Sequence, residues 1–218
     1  MFLNIKILLV ALLISSLAMA QESGVHENID SSYPQESTSQ GKNIGNITIG
    51  PYIPSAIGNN FVNDGMGTKI GVRLSVKFIV LKSFYIGPYF STFKADVTNR
   101  ELLGNYNRTT NFLAGAVVGY EKRINDITFN LGIGLGRAIY HNKAQKNNFK
   151  DTAIALSLNP EVSYRISTYI GLYLAPEFRH DFMNIDVPDE LNDTFNDVNY
   201  FTISFGLRIN LGSAYKNL

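Results

Sequence analysis

The stretch that decides the fold is FTISFGLRINL, residues 201–211. A large apolar residue occupies every odd-numbered position, whereas Thr, Ser, Gly, Arg and Asn occupy the even-numbered ones. Because successive side chains of a strand point to opposite sides, this alternation predicts a β-strand with one apolar and one polar face. A soluble barrel would bury its apolar row and expose a mostly charged row to water. The polar row here consists of small and mostly uncharged residues. We therefore expect the apolar row to face lipid and the polar row to line a narrow interior.

The same alternation recurs in seven earlier segments of the chain. The fourth of these is the least regular, because Leu113 and Val117 fall among its polar positions. The eight predicted strands cover residues 46–54, 68–80, 84–92, 110–123, 127–140, 152–166, 169–180 and 201–211. Four of them contain a proline, at positions 51, 88, 160 and 176, where each proline removes a ladder hydrogen bond. We expect local bulges at these prolines.

The links between the predicted strands alternate strictly between short and long. The short links are residues 81–83, 124–126 and 167–168, and the long links are residues 55–67, 94–109, 141–151 and 181–199. In an up-and-down barrel, alternate links lie at opposite rims, so all short turns meet at one rim and all long loops at the other. The sequence therefore predicts an all-β fold, an eight-stranded antiparallel up-and-down transmembrane β-barrel with short periplasmic turns and long extracellular loops.

Composition divides the chain into four segments. Residues 1–20 combine Lys6, an apolar run over residues 7–14 and the small residues of Ala18-Met19-Ala20, which is the pattern of a secretory signal peptide cleaved near Ala20. A buried or anchoring helix is the alternative, although the apolar run is short for a membrane span. Residues 21–44 have few large apolar residues and are expected to be a disordered periplasmic leader. Residues 45–212 form the predicted barrel, and residues 213–218 form a C-terminal tail.

Several classes of function are excluded by residue types that the chain lacks. The 218 residues include no cysteine, which removes disulfides, thiolate metal sites, cysteine catalysis and a lipidated cysteine. The formal net charge of +1 implies no strong attraction to nucleic acid. The sequence also contains no glycine loop that could hold phosphate and no zinc-ligand spacing. We therefore expect neither a cofactor nor a nucleic-acid partner.

Residues 46–211 resemble the outer-membrane β-barrel domain family of Gram-negative bacteria, specifically its small eight-stranded members. The resemblance rests on the signal peptide, the alternation and the asymmetry of the links. It implies a location in the cell outer membrane, with outer-membrane lipid as a partner, and a porin-like monomer is expected. Many members of this family end on an aromatic residue that closes the last strand, whereas residues 212–218 follow the last strand here.

The inward row of the predicted barrel carries many charged side chains. Because an eight-stranded barrel is only wide enough to be filled by side chains, these groups should pair or stay hydrated. The predicted interior network consists of Lys69, Arg73, Lys77, Glu121, Arg123, Glu161, Arg165, Glu177, Arg179 and Arg208. A structural filling of the barrel is the first interpretation. A narrow anion-preferring channel is the second, because basic groups outnumber acidic ones in this set.

The four long loops are the predicted contact surface for a ligand. The fourth loop is acidic from Asp181 to Asp197, and the third is basic through Lys143, Lys146 and Lys150. These two loops could pair with each other across the rim, or they could bind charged lipid sugars. The acidic loop lacks the regular spacing of a calcium-binding loop, so we expect it to be solvated, without a bound metal.

The sequence does not predict an enzyme. His141 and His180 are expected at the loop rim, and neither has a nucleophile at a spacing that would place both side chains on one face of a strand. We therefore expect a structural or adhesive role, carried out through the surface loops. A small channel is the alternative, and a lipid-modifying enzyme is the least favoured one.

Overall fold

The computed structural model describes residues 43–144 and 148–212, which form a closed antiparallel barrel. Its strands are β1 (Asn43–Ile57), β2 (Met66–Thr68), β3 (Gly71–Leu81), β4 (Phe84–Val97), β5 (Tyr106–Ile124), β6 (Ile127–Ala144), β7 (Phe149–Arg165), β8 (Ile170–Met183) and β9 (Asp197–Gly212). From β3 onward each strand pairs with the next in sequence, and β1 joins β3 to β9 and so closes the barrel. The short β2 pairs with β4 beyond the start of β3, so eight strands form the wall.

The predicted fold class is confirmed, but the strands extend further toward the long loops than predicted. Strands β6 and β7 remain paired up to Asn142 and Phe149, both of which lie in the predicted loop 141–151. Strands β4, β5, β8 and β9 likewise extend into the predicted loops 94–109 and 181–199. Near the loop rim both faces of a strand carry polar residues, so the hydrogen-bonded ladder continues where the apolar alternation in the sequence has ended.

Several predicted segments lie wholly or mainly outside the described residues. These are the signal peptide at 1–20, the tail at 213–218 and most of the leader at 21–44, and all of them stay predictions. The described part of the chain begins with Asn43 in strand β1, ahead of the predicted barrel boundary at residue 45.

Short helical turns occupy three of the long links. They are α1 (Phe61–Gly65), α2 (Arg100–Leu103) and α3 (Asn192–Phe195). Asn60 caps α1, because its side-chain oxygen accepts a hydrogen bond of 3.0 Å from the backbone N–H of Asn63. Each helix is about one turn long and has no periodicity that a sequence pattern could reveal. In the described ranges, no helix is long and apolar enough to cross a membrane.

The strand prolines do not form the predicted bulges. The ladder between β7 and β8 is interrupted where Pro160 and Pro176 lie opposite each other, but the register is the same on both sides of the interruption. The register shifts found among the described strands lie near strand ends instead. A proline lacks only its own N–H, so it removes hydrogen bonds from the ladder without requiring an extra residue.

The two rows of each strand face as predicted. Leu172 and Leu207 are 48% and 49% exposed, whereas Glu177 and Arg208 are 1% and 2% exposed. The outward row of β1 and β3–β9 is a continuous surface of exposed Ile, Leu, Val, Phe and Tyr side chains, which we call the apolar belt. Polar and tyrosine side chains fill the interior. This polarity is the reverse of that in a soluble barrel.

Aromatic pairs lie toward both borders of the apolar belt. The rings of Phe84 and Tyr120 are 5.3 Å apart next to the short turns, and those of Phe178 and Phe201 are 5.0 Å apart toward the long loops. Aromatic side chains are enriched where a membrane-spanning surface meets the headgroup layers. Their positions match the two borders of a membrane-spanning surface.

Candidate functional site

Among residues 43–144 and 148–212, four buried ion pairs lie in the centre of the barrel, arranged along its axis. Seven of the ten charged residues predicted for the interior take part in them, together with one residue that the sequence analysis placed in a loop, Asp181. The pairs are Arg208 with Glu121, Lys77 with Glu161, Arg73 with Glu177, and Arg179 with Asp181. All eight side chains are less than 10% exposed.

The two pairs nearest the short turns share a network of hydrogen bonds. The Arg208 guanidinium donates to Glu121 Oε2 at 2.9 Å and to Ser163 Oγ at 3.1 Å. The Lys77 ammonium donates to Glu161 Oε2 at 2.7 Å, and the other oxygen of Glu161 lies 3.6 Å from Arg208 Nη1. These contacts link strands β3, β5, β7 and β9 across the barrel, so the pairs connect opposite walls.

The third ion pair lies at mid-height. Arg73 Nη1 lies 2.9 Å from Glu177 Oε2, and Arg73 Nη2 donates to Asn159 Oδ1 at 2.6 Å. The Tyr52 hydroxyl donates to the other oxygen of Glu177 at 2.8 Å. Both charges therefore have a neutral polar partner in addition to each other, which offsets part of their desolvation cost.

The fourth ion pair lies toward the long loops and includes the residue that sequence reasoning missed. Arg179 donates to both oxygens of Asp181, at 2.6 and 2.5 Å, in a bidentate contact. The Tyr140 hydroxyl also donates to Asp181 at 2.5 Å, and the Tyr200 hydroxyl is 3.0 Å from that of Tyr140. The signal was the spacing, because residues 179 and 181 lie on the same face of a strand.

Three predicted members of the interior network lie elsewhere. Lys69 precedes β3, so its side chain is exposed and pairs with Asp96 on the outside. Arg165 lies at the short-turn rim, where its Nη2 is 2.5 Å from Asp126 Oδ1. Arg123 lies at the same rim and donates to the backbone oxygen of Asn125 at 3.0 Å. At the end of a strand, the residues of the inward row lie at the rim of the barrel and no longer in its enclosed interior.

The interior charges balance, which corrects the predicted excess of basic groups. Four described cations face four carboxylates, whereas seven cations and three carboxylates were predicted for the interior. The difference comes from the three basic residues at the rims and from the omission of Asp181. At the short-turn mouth, beside Arg123, Arg165 and Arg208, lies a cavity of about 10 Å³, room for about one water molecule.

Apolar side chains cover the loop end of the barrel. The Phe61 ring of α1 stacks on Phe195 of α3 at 5.2 Å and lies 6.2 Å from the ring of Tyr140. Val62 is 1% exposed beside them, and Leu103 of α2 joins the same buried cluster. We call Phe61, Val62, Leu103 and Phe195 the apolar cap. The cap was not predicted, because isolated apolar residues in a predicted loop form no periodic pattern.

The charged loops do not pair with each other among the described residues. In the acidic loop, Asp181 points inward, and Asp197 lies 3.3 Å from Nε2 of the half-buried His180. In the basic loop, Lys143 and Lys150 are exposed, and Lys146 lies outside the described residues. His141 is exposed on β6. Within residues 43–144 and 148–212 no three His, Asp or Glu side chains are grouped as a metal site would require.

Comparison with known proteins identifies the fold. No protein-family model and no curated protein sequence matches the chain. The crystal structure of Neisserial surface protein A is similar with a TM-score of 0.56 and 11% identity, over 77% of this chain and 97% of that one. The outer membrane protein OprG from Pseudomonas aeruginosa is similar with a TM-score of 0.50 and 12% identity, over 79% of this chain and 98% of that one. The chain thus has the fold of the small eight-stranded outer-membrane barrels.

Proposed function

We propose that this protein is an integral outer-membrane barrel that has a structural or adhesive role and contacts its ligand through the long loops. The observation that carries the proposal is the reversed polarity of the wall. Exposed aliphatic residues such as Leu172 and Leu207 alternate with fully buried charges such as Glu177 and Arg208. An exposed apolar surface that surrounds a whole barrel would be poorly compatible with water, but it matches the hydrocarbon layer of a bilayer.

The long-loop rim is the surface that the proposal assigns to ligand binding. It comprises residues 55–67, 94–109, 141–151 and 181–199, and its described exposed residues include most of the charges outside the barrel interior. The short-turn rim has links of only a few residues and offers little surface for a partner. Neisserial surface protein A, whose fold is similar, is described by its name as a surface protein.

A small channel is the second candidate, and the basic mouth at the short-turn rim is the observation in its favour. Arg123, Arg165 and Arg208 line that mouth. Against conduction stand the four ion pairs described in the interior and the apolar cap over the other end. We expect no discrete current steps in a planar bilayer. Discrete current steps whose reversal potential in a salt gradient shows anion selectivity would favour the channel.

An enzyme that modifies lipids is the third candidate. We expect cells with and without the protein to produce the same lipid A mass spectrum, because neither His141 nor His180 has a nucleophile beside it among the described contacts. A mass shift that depends on the protein would favour the enzyme instead.

Membrane fractionation combined with a heat-modifiability gel tests the proposed location. We expect the protein to stay with the outer-membrane fraction after an alkaline wash and to migrate differently before and after boiling, because a closed barrel resists detergent until heated. Recovery in the aqueous fraction would contradict the proposal. Cells that produce the chain without residues 1–20 provide the control, because a chain without the predicted signal peptide should stay in the cytoplasm.

A further inference from the structure

Exposed cations concentrate on one side of the barrel, from the loop-side part of the apolar belt up to the long loops. Strands β4–β7 carry them in four neighbouring outward rows, which alternate with buried inward residues. We define the basic sector as Lys94, Arg108, Arg137, Lys143 and Lys150, all of which are exposed. The sector thus lies on the outer wall, separate from the interior ion pairs.

The strand register brings some of these cations directly opposite each other. Arg108 on β5 lies opposite Lys143 on β6. Directly opposed side chains have Cβ atoms about 5 Å apart, and like charges at that separation repel. Of the described carboxylates, only Asp96 reaches the sector, where it accepts from Arg108 at 2.8 Å. A bound anion would relieve the repulsion that remains.

Arg137 is the sector residue that lies furthest from the long loops, within the loop-side part of the apolar belt. Its neighbours along the outward row of β6 are Leu135 and Ile139, and it lies opposite Ala114 and Ile154 on the adjacent strands. A guanidinium in this apolar setting extends toward the nearest polar layer. That layer lies on the loop side, because the outward row from Ile127 to Leu135 is wholly apolar.

The opposite side of the barrel carries the opposite charge. The link before β9 contains the exposed acids Asp186, Asp189, Glu190 and Asp193, and Asp197 at the start of β9 is exposed as well. The chain contains no lysine or arginine between Arg179 and Arg208. An anion at the membrane surface is therefore attracted to strands β4–β7 and repelled from strands β8 and β9.

We propose that the basic sector binds the phosphate groups of an anionic lipid in the outer leaflet. The proposal rests on the proposed outer-membrane location. Lys94, Arg137, Lys143 and Lys150 are the four sector cations without an ion pair in the part of the chain that the structure describes. A guanidinium binds phosphate oxygens bidentately and an ammonium binds them as a point charge. The apolar belt directly below the sector provides a surface for the acyl chains of the same lipid.

The test uses the full folded protein in phosphatidylcholine nanodiscs with traces of lipid A as the probe. The bound fraction is measured by native mass spectrometry for bis-phosphorylated lipid A and for its dephosphorylated form with identical acyl chains. We expect the wild type to retain the phosphorylated form at least tenfold better. Arg137→Gln/Lys143→Gln/Lys150→Gln should reduce its retention by on the order of a hundredfold, because each surface cation contributes about fivefold.

A charge-matched variant separates specific binding from general attraction. Lys82→Gln/Lys122→Gln/Arg100→Gln removes the same charge at exposed positions outside the sector, and we expect retention within about twofold of the wild type. Excess inorganic phosphate should displace little lipid A, since it lacks acyl chains. The heat-modifiability gel verifies that every variant is folded.

Several outcomes would overturn the lipid site. Three of these are equal retention of both lipid A forms, unchanged lipid A retention by the triple variant, and an equal loss of retention in the charge-matched variant. The fourth is a dimer that forms in the wild type and is abolished only in the triple variant, because this result would assign the sector to contact with a second copy of the chain. A protein that stays in the membrane and shows any of these results contradicts the lipid site alone. A protein that leaves the membrane in the alkaline wash contradicts the proposed location.

Discussion

Leu207 and Arg208 are neighbours in strand β9 but lie in opposite surroundings. The leucine is half exposed on the outer wall, and the arginine is 2% exposed among Glu121, Ser163 and Asn210. The difference shows that the outer row and the inner row of the wall are stabilised by different forces. In the proposed membrane location lipid contact stabilises the outer row, whereas charge pairing and hydrogen bonding stabilise the inner row. Substitutions that leave a charge unpaired on the inner row, or place a charge on the outer row, test this difference.

The largest effect is expected from removing one partner of an interior ion pair. Arg208→Leu leaves the Glu121 carboxylate buried without its cation, which should lower the free energy of unfolding by about 3–5 kcal/mol. The measurement is urea unfolding in lipid vesicles. The double variant Arg208→Leu/Glu121→Gln should recover part of the loss, because no buried charge remains unpaired. A single variant as stable as the wild type would mean that these charges are hydrated.

A charge placed on the outer row should have the next largest effect. Leu207→Lys puts an ammonium into the hydrocarbon layer and should cost about 2–4 kcal/mol near the middle of the bilayer. The same vesicle unfolding experiment measures it, and Leu207→Ile is the matched control, with a loss below about 1.5 kcal/mol. If the lysine variant is more stable than the isoleucine variant, the outer row faces water.

A smaller effect is expected from one hydroxyl of the loop-side network. Tyr140→Phe removes one hydrogen bond to the charged Asp181 carboxylate, which keeps both bonds from Arg179, and should cost about 1.5–3 kcal/mol. Tyr120→Phe is the control, because Tyr120 is 44% exposed on the outer row and should change stability by less than about 0.5 kcal/mol. Equal losses in both variants would contradict the distinction between the rows.

The smallest effect concerns the aromatic border near the short turns. Phe84→Leu removes the edge-to-face contact with Tyr120 and should cost about 0.5–1.5 kcal/mol in vesicles. In detergent without a headgroup layer the contact between the rings persists, so most of the loss should remain there. A loss confined to vesicles would assign the role of Phe84 to headgroup contact instead of ring pairing.

The sequence could predict the wall, because each strand there separates two environments. A strand with lipid on one side and the barrel interior on the other must alternate apolar and polar residues. This alternation predicts all eight strands. Beyond the apolar belt that requirement ends, so the upper parts of β6 and β7 were predicted as loop. The prolines were misjudged for a related reason, because the register is held by the whole ladder and not by the single hydrogen bond that each proline removes.

The interior site could be predicted in part. Period-two spacing identified seven of the eight buried charges, and it would have identified Asp181 if the predicted strand had not ended at His180. Which carboxylate meets which cation depends on the strand register across the barrel, for example in the contact of Arg73 on β3 with Glu177 on β8. The apolar cap depends on how loops fold over the rim, which no local pattern encodes.

The most direct test of the reversed polarity uses the absence of tryptophan from the chain. Leu207→Trp introduces a single fluorophore on the outer row, and Asn192→Trp introduces one in the long-loop rim. In vesicles that contain brominated phospholipid, the account predicts blue-shifted emission with strong quenching at position 207 and neither at position 192. Emission from position 207 that brominated lipid leaves unquenched would contradict the account.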